Sequence, residues 1–117
     1  MAHAPGFMTL AQDAKTRIHE IPLATLEEKR AKGEPLTLID VREESEWAAG
    51  SIPGAIHLSK GVLECDIEGV ISDKNTSIVL FCGGGFRSAL AADNLQKMGY
   101  KHVHSLIGGY RGWVQHK

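Results

Sequence analysis

The hydrophobic pattern of the chain alternates between short apolar runs and longer segments in which apolar residues recur every three or four positions. The run at 77–81 is almost entirely apolar, which is typical of a central strand covered on both faces. The pattern predicts further strands at 18–21, 36–41, 55–58 and 102–107, and helices at 9–16, 25–32, 44–49, 61–70, from Ser88 to Gly99, and around Gly112-Trp113. Strands and helices that alternate with short links predict an α/β domain, with a parallel sheet between layers of helices.

Glycine and proline mark the ends of these elements. Gly33, Gly50 and Gly99 each follow a predicted helix, and Pro53-Gly54 predicts a turn. Ser88 is a residue type that caps helix N-termini, and we expect it to cap the helix after 77–81. Residues 1–6 resemble a loose arm. The predicted organisation is therefore an arm with a polar helical segment at 1–16 and one domain at 17–117.

Composition narrows the function classes. The 117 residues include 13 Lys plus Arg and 14 Asp plus Glu, a net charge of -1, which predicts neither a nucleic-acid partner nor binding to anionic membranes. Six scattered histidines lack metal-ligand spacing, and no residue argues for an organic cofactor. Two cysteines suit a reducing compartment. With no visible export signal or apolar span, the expected location is the cytoplasm.

The segment CGGGFRS, at 82–88, joins the predicted central strand to a helix. In open α/β sheets, ligands bind beyond the carboxyl ends of the strands, where this turn lies. Three successive glycines indicate a main chain that bends tightly or approaches a ligand closely. The amides from Gly83 to Ser88, which include those of Gly84, Gly85 and Phe86, can point inward at the N-terminus of a helix. Such a loop favours a negatively charged group.

The loop amides and the positive end of the helix also act on the cysteine of the loop. A free thiol has a pKa near ~8.5, and a helix N-terminus beside a guanidinium lowers that pKa, so that the thiolate becomes the main form. We therefore predict Cys82 as the nucleophile and Arg87 as the cation that binds the substrate anion. The alternative, a buried structural cysteine beside a surface arginine, would leave the glycines unexplained.

The chain resembles the rhodanese family of sulfurtransferases in three segments: LIDVREESEWAAGSIPGAI, CGGGFRS and MGYKHVHSLIGGYRGW. The resemblance implies five parallel strands between helices and a persulfide on Cys82, with its outer sulfur cradled by the main chain from Gly83 to Ser88. It also implies that Asp40 and Arg42 support the loop. Two features depart from the family pattern: Ser51 replaces a histidine common in relatives, and Gly83-Gly84 replaces basic or polar side chains.

Loop length separates this family from related phosphatases and arsenate reductases, whose loop between cysteine and arginine is one residue longer and encloses a tetrahedral oxyanion. The shorter loop fits a single sulfur atom. The predicted reaction moves a sulfane sulfur from a donor such as thiosulfate to cyanide, a small thiol or a protein thiol. Two alternatives stay open, a phosphatase-like or arsenate reductase-like enzyme and a non-catalytic interaction module.

Other polar residues are expected to play lesser roles. Cys65 could form a disulfide with Cys82, although the sequence does not place the two thiols together. His57 is expected to be structural rather than a proton donor, and Glu46 and Trp47 to be packing or surface residues. Tyr110 and Trp113 are expected to close the core or the rim of the pocket.

Overall fold

The computed structural model describes residues 3–117, in which helices and strands alternate along the chain. The strands are β1 (His19–Ile21), β2 (Thr37–Asp40), β3 (Ile56–His57), β4 (Ser77–Phe81) and β5 (His102–Leu106). The helices are α1 (Pro5–Lys15), α2 (Leu23–Ala31), α3 (Glu44–Ala49), α4 (Lys60–Val70), α5 (Phe86–Lys97) and α6 (Gly109–His116).

The five strands form one parallel sheet in the order β1-β5-β4-β2-β3. Strand β4 is central, and its register places Phe81 beside Asp40 of β2 and Leu80 beside Ser105 of β5. The residues that follow these strands therefore meet at one edge of the sheet. The predicted α/β class and the five-stranded parallel sheet are confirmed.

Two apolar cores lie on the two faces of the sheet. Side chains alternate along β4, so that Ile78 and Leu80 join the core that α4 and α5 cover, whereas Val79 and Phe81 join the core of α2. Tyr110 packs against the second core as a partly buried side chain. Both faces of β4 are thus covered by apolar side chains, as its continuous apolar run predicted.

The N-terminal helix is longer than the pattern predicted. Pro5 and Gly6, which were expected in a loose arm, belong to α1, and the arm prediction was wrong for them because proline is favourable in the first turn of a helix. Met1 and Ala2 lie outside the described residues. Ala11 and Ala14 are buried, and α1 packs on α5. The predicted division of the chain into a segment at 1–16 and a domain at 17–117 stays a prediction.

The start of α5 also differs from the prediction. The helix begins at Phe86, and its N-cap is Gly85, whose φ of 104° lies in the left-handed region. Ser88 therefore lies inside the first turn, fully buried, and the prediction that it caps the helix was wrong. Among residues 3–117, no helix combines the length and apolar character needed to cross a membrane.

Candidate active site

Cys82 follows β4 directly and is only 1% exposed. Its sulfur accepts hydrogen bonds from the Gly85 amide at 3.1 Å and the Ser88 amide at 3.4 Å, and the Ser88 hydroxyl lies 3.5 Å away. These amides belong to the N-cap and first turn of α5, where backbone donors have no partner within the helix. The cysteine sulfur takes the place of the usual capping oxygen.

This environment favours the thiolate. Burial raises the pKa of the Cys82 thiol, but hydrogen bonds from the Ser88 hydroxyl and from the amides of Ser88, Gly85 and Gly84 lower it by more, so that the pKa lies below its ordinary value. The helix N-terminus acts in the same direction because its partial charge is positive. The site therefore holds a reactive sulfur without exposing it widely to solvent.

The N-terminus of α6 fixes the other side of the loop. The Tyr110 amide donates to the Cys82 carbonyl at 2.8 Å, and the Arg111 amide donates to the Gly83 carbonyl at 3.1 Å. These bonds hold the loop carbonyls toward α6. The neighbouring amides are thereby left free to face the sulfur.

The close contact between α6 and the loop depends on Gly109. A Cβ at this position would lie 2.3 Å from the Cys82 carbonyl oxygen and 2.8 Å from that of Gly83, and the φ of Gly109 is +53°. Both the space and the backbone conformation thus require glycine.

A buried pair of hydroxyls extends from the sulfur toward β5. The Ser88 hydroxyl lies 2.8 Å from the hydroxyl of Ser105, and both side chains are fully buried. With Ser105 as donor to Ser88, the Ser88 proton is free to point at Cys82. The pair therefore orients a donor toward the thiolate.

We expect Ser88→Ala to raise the pKa of Cys82, because the variant removes the hydroxyl bond that lowers it at this buried position. The rate of thiol alkylation by iodoacetamide, measured against pH, should move to higher pH and fall several-fold at neutral pH. Ser105→Ala is the matched control, which keeps the Ser88 hydroxyl and should shift the curve less. A larger shift in Ser105→Ala than in Ser88→Ala would contradict this arrangement.

Arg87 is tied to Glu46 of α3. Its guanidinium donates to both carboxylate oxygens, at 2.7 and 3.1 Å, and the pair joins residues 41 positions apart. The bonds to Glu46 raise the pKa of Arg87, and those from Arg87 lower the pKa of Glu46. Glu46, predicted as a packing or surface residue, thus contacts the loop arginine directly. The prediction that Arg87 binds a substrate anion stays a prediction.

Asp40 and Arg42 form a buried network behind the loop. The Arg42 guanidinium donates to Asp40 at 2.8 Å and to the Gly50 carbonyl at 2.6 Å, and the Ser51 hydroxyl also donates to Asp40 at 2.8 Å. Both charged side chains are nearly inaccessible to solvent. A buried ion pair is stable only when its remaining polar atoms also have hydrogen-bond partners. Ser51 supplies such a partner to Asp40 and so helps to hold this pair in place.

His57 belongs to the same support. Its Nε2 lies 2.8 Å from the Arg42 carbonyl, and its ring stacks on Trp47 with the ring centroids 5.1 Å apart. These contacts fit the structural role predicted for His57. The network also fixes the backbone around α3, which carries Glu46.

Two adjoining pockets lie above the loop. A pocket of about 40 Å³ contains the Cys82 surface and is lined by His3, Cys82, Gly83, Gly84, Phe86, Arg87 and Arg111. A more open pocket of about 440 Å³ adjoins it and is lined by Arg42, Glu46, Gly83, Tyr110, Arg111, Val114 and Gln115. Gly83 and Arg111 line both. A substrate can therefore extend from the sulfur over Gly83 into the larger pocket.

The sequence from 23 to 116 matches the family model described as a rhodanese-like domain. This chain belongs to the rhodanese-like family. The chain is 31% identical over 99 residues to a sulfurtransferase of Allochromatium vinosum, covering 85% of this chain and 91% of that one. It is 33% identical over 85 residues to the thiosulfate sulfurtransferase GlpE of Coxiella burnetii, covering 73% and 78%.

Two further comparisons bear on size and function. A Rhodopseudomonas palustris protein of unknown function, described as a possible tyrosine phosphatase, has a similar structure with a TM-score of 0.87 and 26% identity. The match covers 99% of this chain and 94% of that protein. The chain is also 34% identical over 97 residues to a putative sulfur carrier protein of Bacillus subtilis, and it spans about half, 51%, of the length of that relative.

Several residues of this rhodanese-like site were missed by sequence reasoning. The tandem glycines at 108–109 were an available signal, because a Gly-Gly pair before a helix indicates an unusual backbone. Ser105 and Arg111 carried no comparable signal. Tyr110 and Trp113, which were predicted to close the core or the rim of the pocket, stack on each other and pack against the second core, and Tyr110 also lines the larger pocket.

Cys65 lies on α4 with an exposed side chain, and both it and Cys82 are free thiols in the structure. The buried position of Cys82 at the end of β4 contrasts with the solvent-facing position of Cys65. The structure does not test the alternative in which Cys65 forms a disulfide with Cys82.

Proposed function

We propose that this rhodanese-like domain is a sulfurtransferase that carries a sulfane sulfur on Cys82 as a persulfide. The observation that carries the proposal is the set of backbone and hydroxyl donors from Gly85 and Ser88 directed at one buried sulfur. Donors in this arrangement stabilise negative charge on that sulfur without rearrangement during the reaction. The relatives named sulfurtransferases support the same reaction class.

The proposed reaction is a double displacement. The Cys82 thiolate attacks the outer sulfur of thiosulfate, a sulfur–sulfur bond forms, and the bond to the sulfonate breaks, so that sulfite leaves with the bonding electrons. A thiolate or cyanide acceptor then attacks the outer sulfur of the persulfide and releases the Cys82 thiolate. The name of the GlpE relative supports thiosulfate as the donor.

The loop and its support have distinct proposed roles. The main chain of Gly83, Gly84, Gly85, Phe86 and Ser88 surrounds the persulfide, and its glycines leave space for the incoming donor. Asp40 and Arg42 act through the backbone they hold rather than through contact with the substrate. No step of this mechanism needs a metal or an organic cofactor.

A phosphatase-like function is the second candidate, because of the description of the Rhodopseudomonas palustris protein. In this chain only four residues separate Cys82 from Arg87, and the amides of Gly85 and Ser88 reach the sulfur itself. A phosphate would need those donors at oxygen atoms above the sulfur. The geometry therefore favours sulfur transfer.

Intact mass spectrometry after incubation with thiosulfate tests the proposed function. We expect one added sulfur atom on Cys82, which cyanide then removes as thiocyanate. Hydrolysis of an aryl phosphate without sulfur uptake would instead indicate the phosphatase-like function, and failure of both reactions would indicate an interaction module. The reducing environment of the cytoplasm, the predicted location, would keep the thiolate available.

A further inference from the structure

The cations around Cys82 differ in whether a carboxylate already neutralises them. Arg87 is paired with Glu46, and Arg42 with Asp40. Lys15, whose ammonium lies 4.6 Å from the ring centroid of Phe86, lies 3.4 Å from a Glu20 carboxylate oxygen. Each of these charges is offset by a nearby negative charge, so that its field at an incoming anion is reduced.

Arg111 differs from these three cations. Among residues 3–117, no carboxylate lies within 4 Å of its guanidinium. The side chain is exposed at the start of α6 and lies over the loop, where a Cβ added to Gly84 would be 3.5 Å from its Nη1. Arg111 also lines both the small pocket at Cys82 and the larger pocket beside it.

A donor such as thiosulfate brings two negative charges toward a thiolate. Attack of the thiolate on the outer sulfur releases sulfite with both negative charges and leaves one negative charge on the persulfide, which the loop donors face. A cation near the sulfonate reduces the repulsion between the donor and the thiolate. The guanidinium of Arg111 is suited to this position, because its planar donors match the oxygens of an oxyanion and its charge is not offset.

We propose that Arg111, rather than Arg87, binds the anionic group of the sulfur donor and determines the preference for anionic donors. This inference rests on the proposed sulfurtransferase function. Arg87 then serves as a positioning residue, because its bonds to Glu46 connect the loop to α3. Arg87 and Arg111 both line the small pocket at Cys82, but only Arg87 is paired with a carboxylate, and we assign the two arginines different roles.

The test compares single-turnover loading of Cys82 by thiosulfate and by an alkyl persulfide that has no sulfonate group, in wild type, Arg111→Ala, Arg111→Lys and Arg87→Ala. We expect Arg111→Ala to load from thiosulfate about tenfold more slowly, the loss of one exposed charge-assisted contact, with little change for the alkyl persulfide. Arg111→Lys should recover part of the rate because the charge returns without the planar donors. The pH dependence of Cys82 alkylation should be unchanged in Arg111→Ala.

Arg87→Ala separates the two assignments. We expect it to slow loading by both donors to a similar extent, as loss of a positioning residue should. A selective loss with thiosulfate in Arg87→Ala, together with normal loading in Arg111→Ala, would assign the anion to Arg87 and overturn the inference. Equal slowing of both donors in Arg111→Ala would also overturn it.

A binding measurement distinguishes failure of this inference from failure of the proposed function. Sulfate, which resembles the leaving sulfite in charge and in its oxygen atoms but does not react with iodoacetamide, should protect Cys82 of the wild type from iodoacetamide at concentrations about tenfold below those needed in Arg111→Ala. Equal protection of both proteins would reject the role of Arg111 whether or not sulfur is transferred. Absence of sulfur loading in wild type from either donor, with this difference in protection intact, would reject only the proposed function.

Discussion

Cys82→Ser is expected to reduce thiosulfate:cyanide sulfur transfer to the uncatalysed background. Serine places a hydroxyl where the mechanism needs a thiolate, and the oxygen neither ionises near neutral pH nor carries a sulfane sulfur. The loss should appear in both half-reactions, because the same atom accepts the sulfur and later releases it. Steady-state thiocyanate formation and the intact mass after exposure to thiosulfate measure the two effects.

Cys65→Ser is the matched control for this variant. The Cys65 side chain faces solvent on α4, outside the loop that surrounds Cys82. We expect most of the activity to remain in Cys65→Ser, with one sulfur still added to the protein. Comparable losses in the two variants would show that Cys65 takes part in the reaction, for example by resolving the persulfide.

Gly109→Ala is expected to have the second-largest effect, on both stability and activity. Its Cβ would lie 2.3 Å from the Cys82 carbonyl oxygen, and the positive φ adds backbone strain. Together, the strain and the overlap should lower the free energy of unfolding by about 3 kcal/mol. Since α6 must move away to relieve the overlap, the loop carbonyls lose their donors. We therefore expect the rate of sulfur loading to fall about a hundredfold, which corresponds to roughly 3 kcal/mol of activation free energy.

Gly112→Ala provides the control in the same helix. Within residues 3–117, no atom outside the adjoining backbone of α6 lies within 4 Å of a Cβ added there, and alanine favours a helix over glycine by about 1 kcal/mol. We expect Gly112→Ala to be at least as stable as wild type in denaturant unfolding and to load sulfur normally. If Gly109→Ala had the same stability and the same rate of sulfur loading as Gly112→Ala, the close contact between α6 and the loop would not matter for the reaction.

The parts of the fold that the sequence predicted well have strong local causes. Strand β4 has the predicted ends because an apolar run of this length needs cover on both faces. Helix α3 also has the predicted ends, since Gly50 adopts a φ of 141° that disfavours other residues. The place of Cys82 at the carboxyl edge of the sheet followed from the position of the loop between a buried strand and a helix.

The less well predicted parts depend on contacts between distant segments or on competing local signals. Glu46 and Arg87 meet only because the sheet brings α3 beside the loop, and neither segment alone indicates the pair. Ser88 carries a capping side chain, but Gly85 can adopt the left-handed N-cap conformation, so that the helix begins earlier and the hydroxyl of Ser88 turns toward Cys82 and Ser105. At α1, Pro5 is itself a helix-start signal, and the helix begins there rather than at the predicted residue 9.

The hydrogen bonds from α6 to the loop affect when the cysteine acquires its reactivity. During synthesis, the segment that contains Cys82 is made before β5 and α6, which follow it in the chain and can pack against it only later. Until α6 docks, the carbonyls of Cys82 and Gly83 lack these donors, and we expect the loop to lack its final conformation. We expect the thiol of the unfinished chain to behave as an ordinary cysteine, with its heightened sensitivity to oxidants and electrophiles postponed until the whole domain has assembled.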